Sequence, residues 1–220
     1  MFRRLAVLAA LALVTGGLGL AAHAQGGIGI VYQDDFSTDT GAWEIGPRDS
    51  GERVIESGQL RITDFDTYGT TSSRLDRSFV FKDVDVEFDT TLLSGNDRGW
   101  HVILLRYQDS DNYHGMGFHA GGRVYGFTVR NGERTIWQDS EDFAAIRTGF
   151  GQVNHVRATA IGTTLRFYIN GELVIVTDQP APLEGRVGFS VSAPSGDSAN
   201  GPTEVAFDNL VIRGASAGSS

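Results

Sequence analysis

Gly99-Trp-His-Val-Ile-Leu-Leu-Arg-Tyr-Gln-Asp-Ser-Asp-Asn-Tyr-His-Gly-Met-Gly-Phe118 reads as two strands around a polar turn. Trp100 to Tyr107 is apolar, β-branched and aromatic, bounded by Gly99 and by Gln108 to Asn112. Such a run is short for a helix and suits a strand. Asp and Asn side chains bond nearby backbone groups, so the polar stretch turns the chain. Tyr113 to His119 then returns as the second strand. In Val102-Ile103-Leu104-Leu105 both phases of the strand are apolar. A sandwich core covers one face of a strand, so the other face is either covered too or forms a partly apolar groove.

Outward from this hairpin the same grammar repeats. Gly121-Gly122 leads into Arg123 to Arg130, and Asn131-Gly132 turns the chain into Glu133 to Gln138. Asn-Gly suits a two-residue hairpin turn, whose central residues take positive φ. Upstream, Val84, Val86, Phe88 and Leu92 alternate with Asp83, Asp85, Glu87, Asp89 and Thr91, a strand with one buried and one wet face. Short strands are expected at Ile30–Tyr32, Trp43–Ile45, and Arg53–Glu56 with Gln59–Thr63 around Ser57-Gly58. Downstream, Asn154–Ala160, Thr164–Ile169 and Glu172–Thr177 form a meander through Asn170-Gly171, followed by Gly185–Val191 and Glu204–Ile212. Only Asp139 to Arg147 suggests helix, one or two turns long. Around a dozen strands on short turns, without crossover helices, predict an all-β fold: an antiparallel two-sheet sandwich, or jelly roll.

The last strand changes phase. Val205 and Phe207 share one side, Leu210 and Ile212 the other, so a bulge is expected at Asp208-Asn209. A carboxylate at a bulge, beside carbonyls turned out of the ladder, suits a hard oxygen-seeking cation such as calcium at Asp208, the other reading being a turn Asp that satisfies backbone N–H groups.

Composition sets the surroundings. Arg3-Arg4, an apolar run from Leu5 to Leu20 and Ala22-His23-Ala24 make a secretory signal peptide over 1–24, with cleavage expected before Gln25. The apolar run falls short of the ~20 residues that span a bilayer. No membrane span is expected after cleavage, and the product is exported: secreted, periplasmic or in the cell envelope. The remaining chain reads as one domain over 25–213, with a small polar tail at 214–220. It has no cysteine, so disulfides and thiolate chemistry are excluded. Formal charge is −9, and −11 once Arg3 and Arg4 leave with the leader. That balance argues against nucleic acid as a partner and fits neutral glycans or metal ions.

Several pieces together resemble the concanavalin A-like lectin/glucanase superfamily, in particular the bacterial laminin-G-like domains of exported proteins. They are Asp34-Asp35-Phe36 with Trp43, Gly58-Gln59-Leu60-Arg61-Ile62, Arg106 to Tyr113, Phe167-Tyr168-Ile169-Asn170-Gly171 and Phe207-Asp208-Asn209-Leu210. The resemblance implies a jelly roll whose concave sheet often binds sugars, commonly with a structural calcium, and whose first and last strands lie side by side, which would bring Asp34 and Asp35 near Asp208 and makes Asp35 and Asp208 the expected calcium ligands.

Candidate sites follow. Sugar rings stack on aromatic surfaces while polar side chains take the hydroxyls, so Trp100, Arg106, Tyr107, Tyr113, His114 and Trp137 are the expected carbohydrate-binding residues. The expected partner is a glycan or cell-envelope polysaccharide. The alternative is catalysis at Asp83, Asp85 and Glu87, because family 16 glycoside hydrolases on this type of fold carry a strand of alternating acids. Retention needs two carboxyl groups ~5 Å apart. Bacterial 3-keto-glycoside hydrolases share the fold as well, and a structural envelope protein without a sugar site is the third reading. A non-enzymatic glycan-binding or adhesive module is the preferred one.

Overall fold

A computed structural model describes residues 28–65, 69–140, 143–193 and 201–215. The expected leader lies outside them. Among the described residues fifteen strands form: β1 (Ile28–Asp34), β2 (Gly46–Arg48), β3 (Gly51–Glu56), β4 (Gln59–Asp64), β5 (Thr71–Arg74), β6 (Val84–Ser94), β7 (Trp100–Asp109), β8 (Asn112–His119), β9 (Val124–Arg130), β10 (Glu133–Ser140), β11 (Val153–Ile161), β12 (Thr164–Ile169), β13 (Glu172–Asp178), β14 (Arg186–Ser192) and β15 (Thr203–Ala215). No helix forms among the described residues. Asp139 and Ser140 finish β10 instead of opening the expected helical turns, and 143–147 is irregular. Trp43 makes only an isolated bridge to Leu75, and the strand expected there starts at Gly46. β15 carries sheet pairing on to Ala215, into the expected tail.

The strands form two antiparallel sheets. One has nine strands in the order β13-β12-β11-β6-β15-β4-β3-β2, with β1 also on β15; the other has six, β10-β9-β8-β7-β14-β5. The core lies between them: Val84, Val86, Phe88 and Leu92 of β6 meet Ile103 and Leu105 of β7, Met116 and Phe118 of β8, and Phe189 of β14. Phe189 stacks on Trp43 at 5.4 Å and on Phe207 at 4.3 Å. Burying such rings contributes about 1.5–3 kcal/mol each before the cost of ordering the chain.

Turn chemistry behaves as the sequence indicates. Ser57-Gly58, Asn131-Gly132 and Asn170-Gly171 all take positive φ at hairpin tips. The phase change in β15 is a bulge: its register with β6 shifts between Asp208 and Val211, and Asn209 has φ of 52°. The bulge falls where the other neighbour of β15 changes, from β4 at Thr203–Phe207 to β1 at Leu210–Ala215.

Candidate functional site

The six-stranded sheet has a second apolar layer on its outer face. Val102, Leu104, Tyr107, Phe127 and Val129 are buried there, with Trp100, Tyr113 and Tyr125 packed against them. The double-apolar pattern of β7 is therefore split between two layers, Ile103 and Leu105 inward and Val102 and Leu104 outward. Above this layer lies a groove of about 580 Å³. Its aromatic floor is continuous. Trp100 meets Tyr125 at 5.1 Å, Tyr125 meets Phe127 at 5.3 Å, Phe127 meets Tyr113 at 5.8 Å, and Tyr113 meets Tyr107 at 5.3 Å. Gly115 makes room for it, because a Cβ there would sit 2.3 Å from the Phe127 ring.

Polar groups rim the floor. Ser72 of β5 donates to Ser190 of β14 at 3.0 Å, and Ser110, Ser192 and Thr70 also line the groove. Arg74 donates to the Tyr107 hydroxyl at 3.1 Å and lies 4.7 Å from its ring centre. Burial pushes that phenol up from its usual pKa. Across the groove, Arg134 covers Phe127 at 4.3 Å, and Arg123 bonds Asp139 at 2.6 Å.

Of the six residues expected to bind sugar, the structure brings Trp100, Tyr107 and Tyr113 together on this face. The other three lie elsewhere. Simple alternation along β7 would point Arg106 outward with Val102 and Leu104. Arg106 instead adopts φ of 52°, and the register with both neighbouring strands shifts around it. The bulge turns Tyr107 out and Arg106 in. Arg106 is 1% exposed and donates to the carbonyls of Lys82 (3.1 Å), Gly162 (2.7 Å) and Pro182 (3.5 Å), with Asp83 3.5 Å away. These bonds offset the cost of a left-handed non-glycine residue, about 1–2 kcal/mol.

His114 is fully buried on the core side of β8. Its Nε2 donates to the Pro182 carbonyl at 2.9 Å, leaving Nδ1 as acceptor toward Thr128 Oγ1 at 2.8 Å. Burial lowers its pKa to about 4. Trp137 also faces inward, in the phase opposite to groove-lining Arg134 and Ile136; the register shift between Ile136 and Gln138 then brings Asp139 back to the groove side. Its indole donates to Thr128 at 3.1 Å, and its ring lies where a Cβ on Gly126 would be. Only Arg106 owes its direction to a bulge, which the sequence pattern does not mark; His114 lies in unbroken register with β9 and Trp137 follows groove-lining Ile136, so ordinary alternation turns both inward.

The alternating acids occupy the other sheet. Asp85, Glu87 and Asp89 point outward from β6, on the face opposite the groove. Arg157 clamps Asp85 with bonds of 2.8 and 2.6 Å, Arg213 pairs with Glu87 at 3.0 Å, and His155 and Asn209 hold Asp89 at 2.8 and 2.9 Å. Asp83 accepts from the Gly162 amide at 2.8 Å. The structure thus separates the candidate catalytic carboxylates from the groove by the whole sandwich.

At the β15 bulge, Asp208 lies near Asp89 and Asp35, and burial first, then repulsion from these two, raises its carboxyl above the usual range. Asp208 and Asp35 already accept the amides of Asn209 (2.7 Å) and Ser37 (3.0 Å). Asp34 accepts Phe36 N–H, Tyr32 O–H and the Trp43 indole. No three His, Asp or Glu side chains converge as metal ligands among the described residues. A calcium ion here would depend mainly on backbone carbonyls.

Sequence reasoning missed Arg48, Arg74, Arg134, Phe127 and the serines of β14 as groove residues. Tyr125 and Phe127 had a usable signal, since they share a phase in a strand apolar on both sides.

No protein-family model and no curated protein sequence matches the chain. Solved structures do. The chain is similar to the carbohydrate binding module CBM66 from Bacillus subtilis, with TM-score 0.62 and 19% identity over 78% of this chain and 95% of that one. It is similar to a Bacillus subtilis protein of unknown function with a galectin-like fold, with TM-score 0.64 and 12% identity over 85% and 97%. The laminarinase catalytic domain of Thermotoga maritima aligns with TM-score 0.60 and 13% identity over 85% and 98%. The fold is the concanavalin A-like jelly roll.

Proposed function

We propose that this concanavalin A-like jelly roll is an exported, non-enzymatic glycan-binding module whose ligand lies in the groove of the six-stranded sheet. The observation that carries the reading is the run of rings from Trp100 through Tyr125, Phe127 and Tyr113 to Tyr107, with Phe127 and Tyr107 buried in the floor, the other three partly exposed, and hydroxyls and guanidiniums around the rim. Sugar rings offer C–H faces to such rings and hydroxyls to such rims, and the groove volume is that of an ordinary ligand site. The likeness to a carbohydrate binding module supports the reading, while the laminarinase likeness shows that the fold hosts hydrolysis too.

The groove favours binding over hydrolysis. A two-carboxylate mechanism needs both acids at the scissile bond. Among the described lining residues Asp139 is the one carboxylate, and Arg123 engages it.

Trp100→Ala and Tyr125→Ala test the site, with affinity electrophoresis on a polysaccharide panel beside a reducing-sugar assay. Both side chains are half-exposed. Each variant is expected to weaken binding about tenfold, the loss of one stacking contact of ~1.4 kcal/mol, while melting stays close to the parent. Unchanged binding in both folded variants would remove the groove as the site. Release of reducing ends by the parent would favour the hydrolase.

A further inference from the structure

The charge of the groove runs against the charge of the chain. The protein has nine more carboxylates than lysines and arginines. Yet Arg48, Arg74, Arg123 and Arg134 line the groove, against Asp139 alone among the described lining residues. Arg123 is engaged with Asp139 at 2.6 Å and adds nothing to the excess. The other three do. Arg48 and Arg134 are exposed and form no ion pair with a described carboxylate.

The wall at Arg74 is more unusual. Among the described residues Glu44 is the one carboxylate in ion-pair contact there, and three guanidiniums share it: Arg74, with Nε at 3.0 Å, Arg186 at 2.9 Å and Arg53 at 3.9 Å, while exposed Asp76 acts on Arg186 from a greater distance. Arg53 and Arg186 are buried, so their charge is poorly screened by water. Arg53 is further committed to the carbonyls of Gly46 and Ser72. The Tyr107 ring carries Arg74 at 4.7 Å and Arg186 at 5.2 Å. Among the described residues, three guanidiniums against one ion-paired carboxylate, with exposed Asp76 offsetting only part of Arg186, leave a positive excess directly behind the aromatic floor. The fold uses buried cations at this end of the groove where a neutral wall would cost less.

We propose that the groove selects acidic glycans, polysaccharides bearing carboxylate or sulfate groups, with one anionic group at the Arg48–Arg74 wall and another toward Arg134. The proposal rests on the glycan-binding reading above and specifies its substrate class. Guanidinium forks match the planar oxygens of carboxylates and sulfates, and the rings between the walls take the uncharged sugar faces. Net charge alone points to neutral ligands. Distribution overrides it, because screening confines the chain's distant carboxylates to about 8 Å at physiological salt while the groove arginines touch the ligand.

Matched polysaccharides that differ only in charge provide the test: polygalacturonate against its fully methyl-esterified form, and dextran sulfate against dextran, each titrated calorimetrically into the full chain. In at least one pair the acidic member should bind about tenfold or more tighter, with a preference that shrinks as salt rises. The Arg48→Gln, Arg134→Gln double variant should lose that preference with an unchanged melting curve, since both side chains are exposed. Equal binding within both pairs would overturn this inference and leave the glycan-binding reading standing. No binding to any of the four would overturn both. Polyglutamate binding as tightly as the acidic polysaccharides, and indifferent to Trp100→Ala, would reduce the arginines to an ion exchanger and overturn the inference as well.

Discussion

The two outer faces of this sandwich solve the same problem in opposite ways. On the nine-stranded sheet, β6 alternates strictly, and its outward Asp85, Glu87 and Asp89 are matched by Arg157, Arg213 and His155 on neighbouring strands. Each of these three carboxylates has a partner and water covers the rest. On the six-stranded sheet, β7 is apolar in both phases, and its outward side chains are covered only by one another and by guanidiniums. A face whose charges are mutually satisfied has little left to offer a ligand. A face of half-covered rings beside an excess of arginine does. In the sequence the acidic strand offers the alternative, catalytic site, and the aromatic residues the preferred one; the groove proposed for recognition lies on the second face.

Acid should separate the two faces most strongly. Burial drives the pKa of His101 down to about 3 and of His114 to about 4, from an ordinary 6.5, and lowers His119 too. All three sit on β7 and β8, under or beside the groove. His101 bonds Thr90 through Nδ1 and leaves Nε2 without a partner in the core. A base whose folded-state pKa lies below its unfolded one contributes fully above about pH 6.5. That contribution is lost as pH falls, because only the unfolded chain takes up the proton. His101 and His114 should each cost about 1.4 kcal/mol per pH unit from pH 6.5 down to about 4. Urea unfolding at stepped pH should show this slope, and His114→Gln should make it shallower by one proton. A flat profile would mean that neither imidazole is held neutral by the fold.

The Arg106 bulge offers a second break. If Arg106 were a ligand contact, Arg106→Ala would weaken binding and leave the fold intact. Its three carbonyl partners say otherwise. Removing a buried, hydrogen-bonded guanidinium strands these acceptors and should cost ~3 kcal/mol. Tyr107 should lose its outward aim as the bulge relaxes. The expected result is a lower urea midpoint at unchanged slope, together with weakened groove binding. Intact stability with lost binding would return Arg106 to the ligand.

Much of this was legible in the chain, for a definable reason. Alternation, Asn-Gly tips and the phase change at Asp208-Asn209 are local patterns, and they led to the two-sheet fold and the β15 bulge. The double-apolar run Val102–Leu105 indicated an outer layer before any topology was known. What stayed hidden is what depends on distant segments or unannounced bulges. Thr71-Ser-Ser-Arg74 is too short and polar to look like a strand, yet β14 pairs with it and brings Arg74 to the groove. Glu44, Arg53, Arg74 and Arg186 come from four separate segments, so no window contains their network. His114 and Trp137 look like sugar-stacking residues by type, and only strand direction turns them inward.

The smallest effect makes the sharpest distinction. Glu87 is the acid/base candidate of the hydrolase reading, and Glu87→Gln preserves shape while removing proton transfer. In a hydrolase that change would reduce turnover ~10²-fold or more. In this structure Glu87 faces away from the groove and pairs with Arg213 at 3.0 Å and Arg157 at 3.8 Å, on a face open to water. Exposed ion pairs of this kind are worth about 0.2–1 kcal/mol, and salt screens them. Glu87→Gln should therefore shift the urea midpoint by an amount near the limit of detection, with even that shift fading at high salt. Affinity for the groove ligand should not change at all. If instead the folded variant lost a reducing-sugar activity that the parent shows, the carboxylates of β6 would be the working face, and the aromatic sheet would be the one that merely covers the core.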